Sequence, residues 1–285
     1  MTKPNREEKI MRRRSLVRAG LMIGMALLSV LGQTVAAAPR GNDKGNGGKP
    51  SGWRDDFTGS TVDDSRWVNA SGQAPGYIPW NHIGYYDPTH VRVQNGYLVI
   101  SLTQDYGFVD GLLGVISNGG LIYTKETYGY GTYEWRMRMS STAVTPEEPG
   151  SPVSGSVSAG FNYVNNSQTE IDFELGGHLP GWLYMTNWRN TNPRRDPTDS
   201  QETYTAASVP DISSKFHTYK FVWEKGKITF YMDDGFQTSH VTDIPSAPAY
   251  FMINHWGTNN PWWGGLATVG PSRYFYIDWV QYTPQ

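Results

Sequence analysis

The side chains best suited to chemistry in this 285-residue sequence occupy alternate positions of one short stretch. Glu170, Asp172 and Glu174 alternate with apolar residues within 169–177. A period of two is typical of a half-buried β-strand, so the three carboxylates are expected on one face and the apolar side chains on the other. Like charges on one strand face repel each other, and an ordinary solvent-facing strand gains nothing from them.

The spacing of the two glutamates suits a reaction that uses a pair of carboxylates. At about 3.3 Å per residue their Cα atoms are roughly 13 Å apart, and side chains leaning inward would bring the carboxyls to about 5 Å. Retaining glycosidases separate their two carboxyls by about 5–5.5 Å, one attacking and the other protonating. Asp172 has a shorter side chain and is better placed to orient a neighbour. The alternative interpretation is a polar face on an edge strand.

The N-terminus predicts export. A basic segment at 12–18, an apolar segment at 21–31 and small residues at 35–38 together indicate a signal peptide over residues 1–38. The protein is therefore expected outside the cell or in the periplasm. Residues 39–51 contain nothing that builds a core and predict a flexible linker. A catalytic domain is expected over residues 52–285.

Charge excludes several classes of partner. Seven of the 24 basic and two of the 26 acidic residues lie within residues 1–38, so the remainder has a net charge of −7. An acidic protein without a basic cluster is a poor ligand for nucleic acid, and no membrane contact is expected after signal cleavage. A monomer is expected. The sequence has no cysteine, so disulfides are excluded.

Aromatic residues are unusually frequent, with 11 Trp, 18 Tyr and 10 Phe. Several lie in Gly-, Asn- and Pro-rich segments, such as 77–81, which contains Trp80, and 260–265. Aromatic rings in loops of this kind predict a carbohydrate site, with Trp80 as one substrate contact. The alternative is that they anchor loops on the rim of the fold.

The remaining pattern predicts an all-β protein. A dozen or more short strands are separated by turn signals, including a hairpin turn at Asn95-Gly96. No internal repeat suggests a propeller, and no composition shift suggests a second domain after the linker. A sandwich of two sheets is the architecture expected.

The acidic motif and its flanking segments resemble glycoside hydrolase family 16, which includes lichenases, laminarinases and agarases. The family motif is Glu-x-Asp-x-Glu, and some members have one extra residue before the final Glu. Residues 170–174 match the form without the extra residue. Segments 53–57, 128–137, 217–233 and 276–282 resemble family strands in the same order. The resemblance implies a concanavalin A-like β-jelly-roll sandwich of two antiparallel sheets with a concave substrate cleft.

The resemblance also implies roles for the acids. Glu170 would be the nucleophile, Glu174 the acid and then the base, and Asp172 an assisting group. The substrate would be a polysaccharide, and catalysis would require no cofactor. The activity expected is that of a retaining endo-β-glycanase.

Further contacts follow from the resemblance and from strand parity. Trp256 and Asn254 match a segment that lines the family's cleft, and parity predicts Thr186 and Trp188 on the face of the acids. The resemblance also suggests a structural calcium ion held by Asp278 and a main-chain carbonyl near Gly96. One aspartate is a small ligand set, so a protein without calcium is the alternative.

The substrate is less well determined than the reaction. An acid and an arginine typical of bacterial mixed-linkage glucanases are replaced by Leu121 and Tyr123. We expect a β-glucan with 1,3-1,4 or 1,3 linkages. Alternatives are an agar- or carrageenan-type galactan, transglycosylation of a glucan, and a lectin-like module without activity. Arg194 and Arg195 are interpreted as part of a solvated loop, with an anionic glycan as the alternative contact.

Overall fold

The computed structural model describes residues 51–193 and 200–285. The predicted signal peptide, nearly all of the predicted linker, Arg194 and Arg195 lie outside these ranges. Within them, no helix is both long enough and apolar enough to cross a bilayer. The described residues are almost entirely β-structure, as the sequence predicts, with one 3₁₀ turn at Pro88–His90.

The strands, in chain order, are as follows: β1 (Trp53–Asp55), β2 (Trp67–Asn69), β3 (Gly72–Gln73), β4 (His82–Tyr86), β5 (Val91–Gln94), β6 (Tyr97–Val109), β7 (Leu112–Thr124), β8 (Gly131–Ser141), β9 (Ser156–Val164), β10 (Thr169–Gly176), β11 (Trp182–Asn190), β12 (Ser200–Ser208), β13 (His217–Glu224), β14 (Lys227–Met232), β15 (Gly235–His240), β16 (Tyr250–Gly257) and β17 (Arg273–Pro284).

These strands form two antiparallel sheets. The front sheet has the order β2-β7-β16-β9-β10-β11-β12, which places the acidic strand β10 between β9 and β11. The back sheet has the order β5-β6-β17-β8-β13-β14-β15, with β1 beside the end of β17. The acidic strand is therefore internal to its sheet, and the edge-strand interpretation is wrong.

The long hairpin of β6 and β7 joins the two sheets at one side. The first half of β6 pairs with β17 in the back sheet, and the last part of β7 pairs with β16 in the front sheet. Their remaining halves pair with each other as far as a turn at Asp110-Gly111. Both turn residues have positive φ, which is the backbone of the tight turn that favours Asp-Gly. Strand β4 adds to β7 in parallel.

The main core lies between the sheets and is rich in aromatic rings. Ile171 and Phe173, the apolar residues of the acidic strand, are fully buried there. Phe173 packs edge-on against Trp135 of β8, with ring centroids 5.5 Å apart. Because the apolar face of β10 is buried in this core, its acidic side chains are directed away from it. The predicted all-β sandwich is confirmed.

The predicted strand segments at 53–57, 128–137, 169–177, 217–233 and 276–282 are present as β1, β8, β10, the β13–β14 hairpin and β17. The hairpin at Asn95-Gly96 is present between β5 and β6. Among the strands of nine or more residues, β7 and β12 were not predicted. Strand β7 carries glycines at 114, 119 and 120, which weaken its strand pattern, although Gly119 has a packing reason because a Cβ there would lie 2.0 Å from the carbonyl oxygen of His255. Strand β12 is polar and lies at the edge of the described front sheet.

Candidate active site

The three acids lie side by side on one face of the front sheet. Residues directly opposite in an antiparallel ladder share a face. Glu170 is opposite Trp188 of β11 and Tyr163 of β9, so two aromatic side chains flank its carboxylate. Asp172 is opposite Thr186 of β11 in the same register. Two of the predicted substrate contacts therefore share the face of the acids.

The face continues across the neighbouring strands. Glu174 is opposite Tyr184 of β11 and Ala159 of β9, and Ala159 is in turn opposite Asn254 of β16. Trp256 follows two residues later on the same face. The apolar and aromatic side chains around these residues form a second cluster, separate from the main core: Ala70, Ala74, Tyr86, Leu121, Val157, Ala159, Phe161, Tyr163, Tyr184, Trp188, Met252, Trp256 and Trp263. We call this surface the front face.

A strained turn aims a hydroxyl at the first acid. Residues Asn165, Asn166 and Ser167, between β9 and β10, all have positive φ, a conformation that costs a serine more than an asparagine. Asn190 at the end of β11 holds the turn, since its backbone N–H donates to the Ser167 carbonyl at 2.8 Å and its side chain donates to the Asn166 carbonyl at 3.0 Å. The buried Ser167 hydroxyl then donates to the carboxylate of Glu170.

Burial dominates the electrostatics of the site. Burial raises the pKa of Glu170 to about 7, while the Ser167 hydroxyl opposes the shift. Burial raises the pKa of Glu174 to about 8, with further increments from the charges of Glu170 and Glu202. The pKa of Asp172 is raised well above its usual range, by burial first and then by the neighbouring carboxylates. Clustered acids in a water-poor site cannot all ionise, so this group retains protons near neutral pH.

Glu202 is a fourth acid that the sequence did not reveal. It lies on β12, opposite Trp188, and therefore on the front face one strand beyond β11. Its charge raises the pKa of all three acids of β10. Because β12 was not recognised as a strand, no parity argument could have placed Glu202 on this face.

Two polar atoms of the front face have no hydrogen-bond partner in the structure, Thr186 Oγ1 and Asn254 Oδ1. Both side chains are buried, where an unpaired polar atom costs about 1–3 kcal/mol. The amide nitrogen of Asn254 donates to the Tyr86 hydroxyl at 3.0 Å. Two oxygens beside the acids therefore have unused capacity to accept a hydrogen bond.

Trp80 does not lie on the front face. It is in the turn before β4, with its backbone N–H bound to the Asp110 carboxylate at 3.0 Å and its side chain largely exposed. The same loop reaches the front face at Gly76, where a Cβ would lie 2.9 Å from the ring of Trp256. Trp80 therefore belongs to the rim, at the end of the face marked by Trp256.

The residues suggested for calcium lie on the other sheet. Asp278 is on β17, and its carboxylate is ion-paired with Arg136 of β8. Calcium takes about six to eight oxygen ligands, and residues 51–193 and 200–285 contain no group of three His, Cys, Asp or Glu side chains that could hold a metal. With its one acid neutralised by a guanidinium, the site near Gly96 is a poor fit for calcium. The calcium site stays a prediction.

Seven of the eight side chains predicted for catalysis or substrate binding lie on the front face, and Trp80 is the exception. The front face also contains residues that were not predicted. Tyr163 and Phe161 could have been found, because alternate residues of the predicted strand β9 share a face. Ser167 could not, since its aim depends on the strained turn and on Asn190. Tyr184 could also have been found, because it shares strand parity with Thr186 and Trp188. Tyr86 could not, since it reaches the face from β4, whose parallel pairing with β7 no local pattern reveals.

Much of the chain matches a known protein family. The family model for Glycosyl hydrolases family 16 matches residues 81–281, about 70% of the chain. A beta-glucanase of Paenibacillus polymyxa is 31% identical over 173 residues, which cover 55% of this chain and 61% of that protein. The match therefore spans less than two thirds of the relative's length.

Solved structures show the same fold. A β-1,3-1,4-glucanase (lichenase) from a mouse hindgut metagenome superposes with a TM-score of 0.65 at 23% identity, over 83% of this chain and 100% of that one. The catalytic domain of an endo-1,3-β-glucanase (laminarinase) from Thermotoga petrophila RKU-1 gives a TM-score of 0.63 at 21% identity, over 82% and 97%. With the family model matching well over half of its length, the chain belongs to Glycosyl hydrolases family 16.

Proposed function

We propose that the protein is a secreted endo-β-glucanase that cleaves its polysaccharide with retention of configuration. The observation that carries the proposal is the row Glu170, Asp172 and Glu174 on one buried, aromatic-lined sheet face. Two glutamates four residues apart on a strand have the reach of a nucleophile and a proton donor on either side of one glycosidic bond. Export rests on the predicted signal peptide.

The proposed reaction has two displacements. A carboxylate oxygen of Glu170 bonds to the anomeric carbon while the bond to the leaving oxygen breaks, and Glu174 gives that oxygen its proton. The product leaves, and Glu174, now ionised, takes a proton from water as the water oxygen attacks the same carbon. The bond to Glu170 then breaks, and both acids return to their starting states. No cofactor enters either step.

The raised pKa values suit a reaction in which one glutamate is ionised and the other protonated. Glu170 must be ionised to attack, and Glu174 must be protonated to donate. Burial raises the pKa of both glutamates, to about 7 for Glu170 and about 8 for Glu174, so the pair retains a proton near neutral pH that Glu174 can donate. Asp172 lies between them with a pKa raised well above its usual range, so it can donate a hydrogen bond to the ionised Glu170.

The front face suits a neutral glucan. Tyr163, Trp188 and Trp256 offer rings on which sugar faces stack, and Thr186 and Asn254 offer free oxygens to hydroxyl groups. Relatives described as β-glucanases support the same substrate class. Leu121 is buried in the apolar cluster of this face, and Tyr123 packs against the cluster. Leu121 and Tyr123 occupy the places where bacterial mixed-linkage enzymes have an acid and an arginine. We expect the linkage that the enzyme prefers to depend on these two residues.

The test is a comparison of polysaccharides with product analysis. Reducing ends should appear with barley β-glucan or laminarin, and early products should carry the β configuration by proton NMR. Faster cleavage of xyloglucan, agarose or carrageenan would replace the glucan proposal, and transfer to added oligosaccharide would indicate transglycosylation. An inverted anomer would refute the mechanism, and binding without cleavage of any of these polymers would indicate a lectin-like module.

The Ser167 hydroxyl should set the acidic limb of the pH profile. Ser167→Ala removes a hydrogen bond that favours ionised Glu170, so the pKa of Glu170 should rise. Since Glu170 acts ionised, kcat/KM falls as pH drops below that pKa, and the acidic limb should move upward by about one pH unit. The alkaline limb, which reports the proton of Glu174, should move much less.

Ser167→Gly is the matched control, because it removes the hydroxyl and also relieves the strained backbone at φ 59°. If the hydrogen bond is the cause, both variants shift the acidic limb equally. A shift in Ser167→Ala alone would instead indicate a displaced turn, and an unchanged profile in both would exclude Ser167 as a positioning residue for Glu170.

A further inference from the structure

The outer half of the β6–β7 hairpin exposes an apolar surface that the cleft chemistry does not use. Tyr106, Phe108 and Leu113 are 71%, 76% and 69% exposed, although each lies within a regular strand. Phe108 is directly opposite Leu113, and Tyr106 lies two residues before Phe108 on the same face. The two aromatic residues are about 7 Å apart along the strand. We call these three residues the hairpin platform.

The residue of the hairpin platform on β7, Leu113, lies on the same side of that strand as the front-face residues of β7. Leu113 shares strand parity with Leu121 and Tyr123, and no bulge interrupts β7 between them. Between these ends the face is covered, because Gln104 donates to the Thr258 carbonyl at 3.1 Å and binds the segment after β16. The front face and the hairpin platform are therefore two parts of one continuous face of β7, separated by the covered segment.

The loops between the two stretches also present exposed rings. Trp80 is 60% exposed and has φ 58°, a strained conformation for so bulky a residue. Its backbone N–H and the Tyr77 hydroxyl, at 3.0 and 2.6 Å, both donate to the carboxylate of Asp110 at the hairpin tip. These bonds tie Trp80 to the hairpin and offset the strain. Trp262, 58% exposed, is on the loop after β16.

Charge selects among ligands for this surface. Strands β6 and β7, residues 97–124, contain no lysine or arginine and carry the acids Asp105 and Asp110. An anionic glycan, a nucleic acid or an anionic bilayer would find no cation on these strands. A neutral sugar polymer needs none, since its C–H faces stack on exposed aromatic rings. An exposed apolar patch of this kind otherwise lowers solubility and calls for a ligand.

We propose that the hairpin platform is an accessory binding site for a neutral polysaccharide, separate from the cleft. The inference rests on the proposed function, because an endo-acting enzyme meets polymers that extend beyond its cleft. A chain held on the hairpin platform keeps the enzyme on an insoluble substrate and raises the effective concentration of bonds at the acids. Short oligosaccharides fill the cleft alone and gain nothing from the platform.

The test separates binding from cleavage. Tyr106→Ser/Phe108→Ser should raise the dissociation constant for insoluble β-glucan at least about tenfold, measured by depletion in a Glu174→Gln background where nothing is cleaved. In the active background the loss of rate should be confined to the insoluble polymer, with kcat/KM for a short soluble oligosaccharide retained. That retained rate also distinguishes failure of the platform from failure of the proposed function.

The matched control is Phe236→Ser, which removes an aromatic ring that is 63% exposed on β15 of the back sheet. It should leave binding unchanged, and an equal loss there would overturn the proposal by showing nonspecific adhesion. Unchanged binding in the double variant would overturn it as well. Light scattering after size exclusion tests a second copy as the occupant, since a dimer that the double variant dissociates would make the patch an interface between copies.

Discussion

Glutamine in place of Glu170 or Glu174 should reduce hydrolysis of the polysaccharide by about a thousandfold or more. The amide has nearly the shape of the acid, yet at position 170 it cannot attack the anomeric carbon and at position 174 it cannot supply a proton. Reducing-sugar release under saturating substrate measures the effect. Near-normal activity in either variant would remove that residue from its proposed role.

The two variants should differ in a way that separates their roles. An aryl glycoside of an acidic phenol releases a phenolate, which needs no proton in order to leave. The rate of bond breaking on such a substrate should therefore fall much less in Glu174→Gln. Glu170→Gln should lose activity on both substrates, because the nucleophile is needed in each case. Equal losses on both substrates for both variants would contradict this division of labour.

Folding provides the control for these variants. Glu170 and Asp172 are buried, Glu174 is half-buried, and all three share a face with Glu202, so removing one acid relieves repulsion. The thermal midpoint should therefore stay the same or rise, while activity is lost. Glu134→Gln, on β8 of the back sheet, should change neither activity nor stability appreciably, since its contact with Lys220 is a 3.9 Å pair.

Trp135→Ala should have the largest effect on stability. The indole is fully buried between the sheets, against Phe173 of the acidic strand, Tyr219 and Phe251. Truncation of a large buried aromatic side chain costs about 3–5 kcal/mol, through lost burial and the cavity left behind. Urea denaturation should show a much lower midpoint with an unchanged m-value.

An exposed tryptophan gives the comparison for this variant. Trp262→Ala removes an indole that is 58% exposed, and the free energy of unfolding should change by less than about 0.5 kcal/mol. A similar loss in both variants would mean that the rim loop is part of the cooperative core. A small loss in Trp135→Ala would mean that the sheets close over the cavity.

The sandwich and its acidic strand were predictable because their signals are local. Ile171 and Phe173 alternate with acids, and this alternation alone assigns one face to the core and the other to chemistry. The Asn95-Gly96 turn has a similarly local cause in its positive φ values. Strand β7 was not predicted because Gly114, Gly119 and Gly120 interrupt its strand pattern. These positions are glycines because other backbone or side-chain atoms come too close for a Cβ.

The order of the acids and their shared face follow from the sequence, since both depend on neighbours along one strand, and the family resemblance follows from this motif together with four other segments. What surrounds the acids depends on the tertiary structure. Ser167 reaches Glu170 because Asn190 of another strand clamps its turn, and Glu202 joins the acids through the pairing of β12 with β11. Burial, which raises the pKa values of Glu170 and Glu174, likewise arises from strands distant in sequence. Pairing between distant strands depends on the whole fold, and local periodicity carries no record of it.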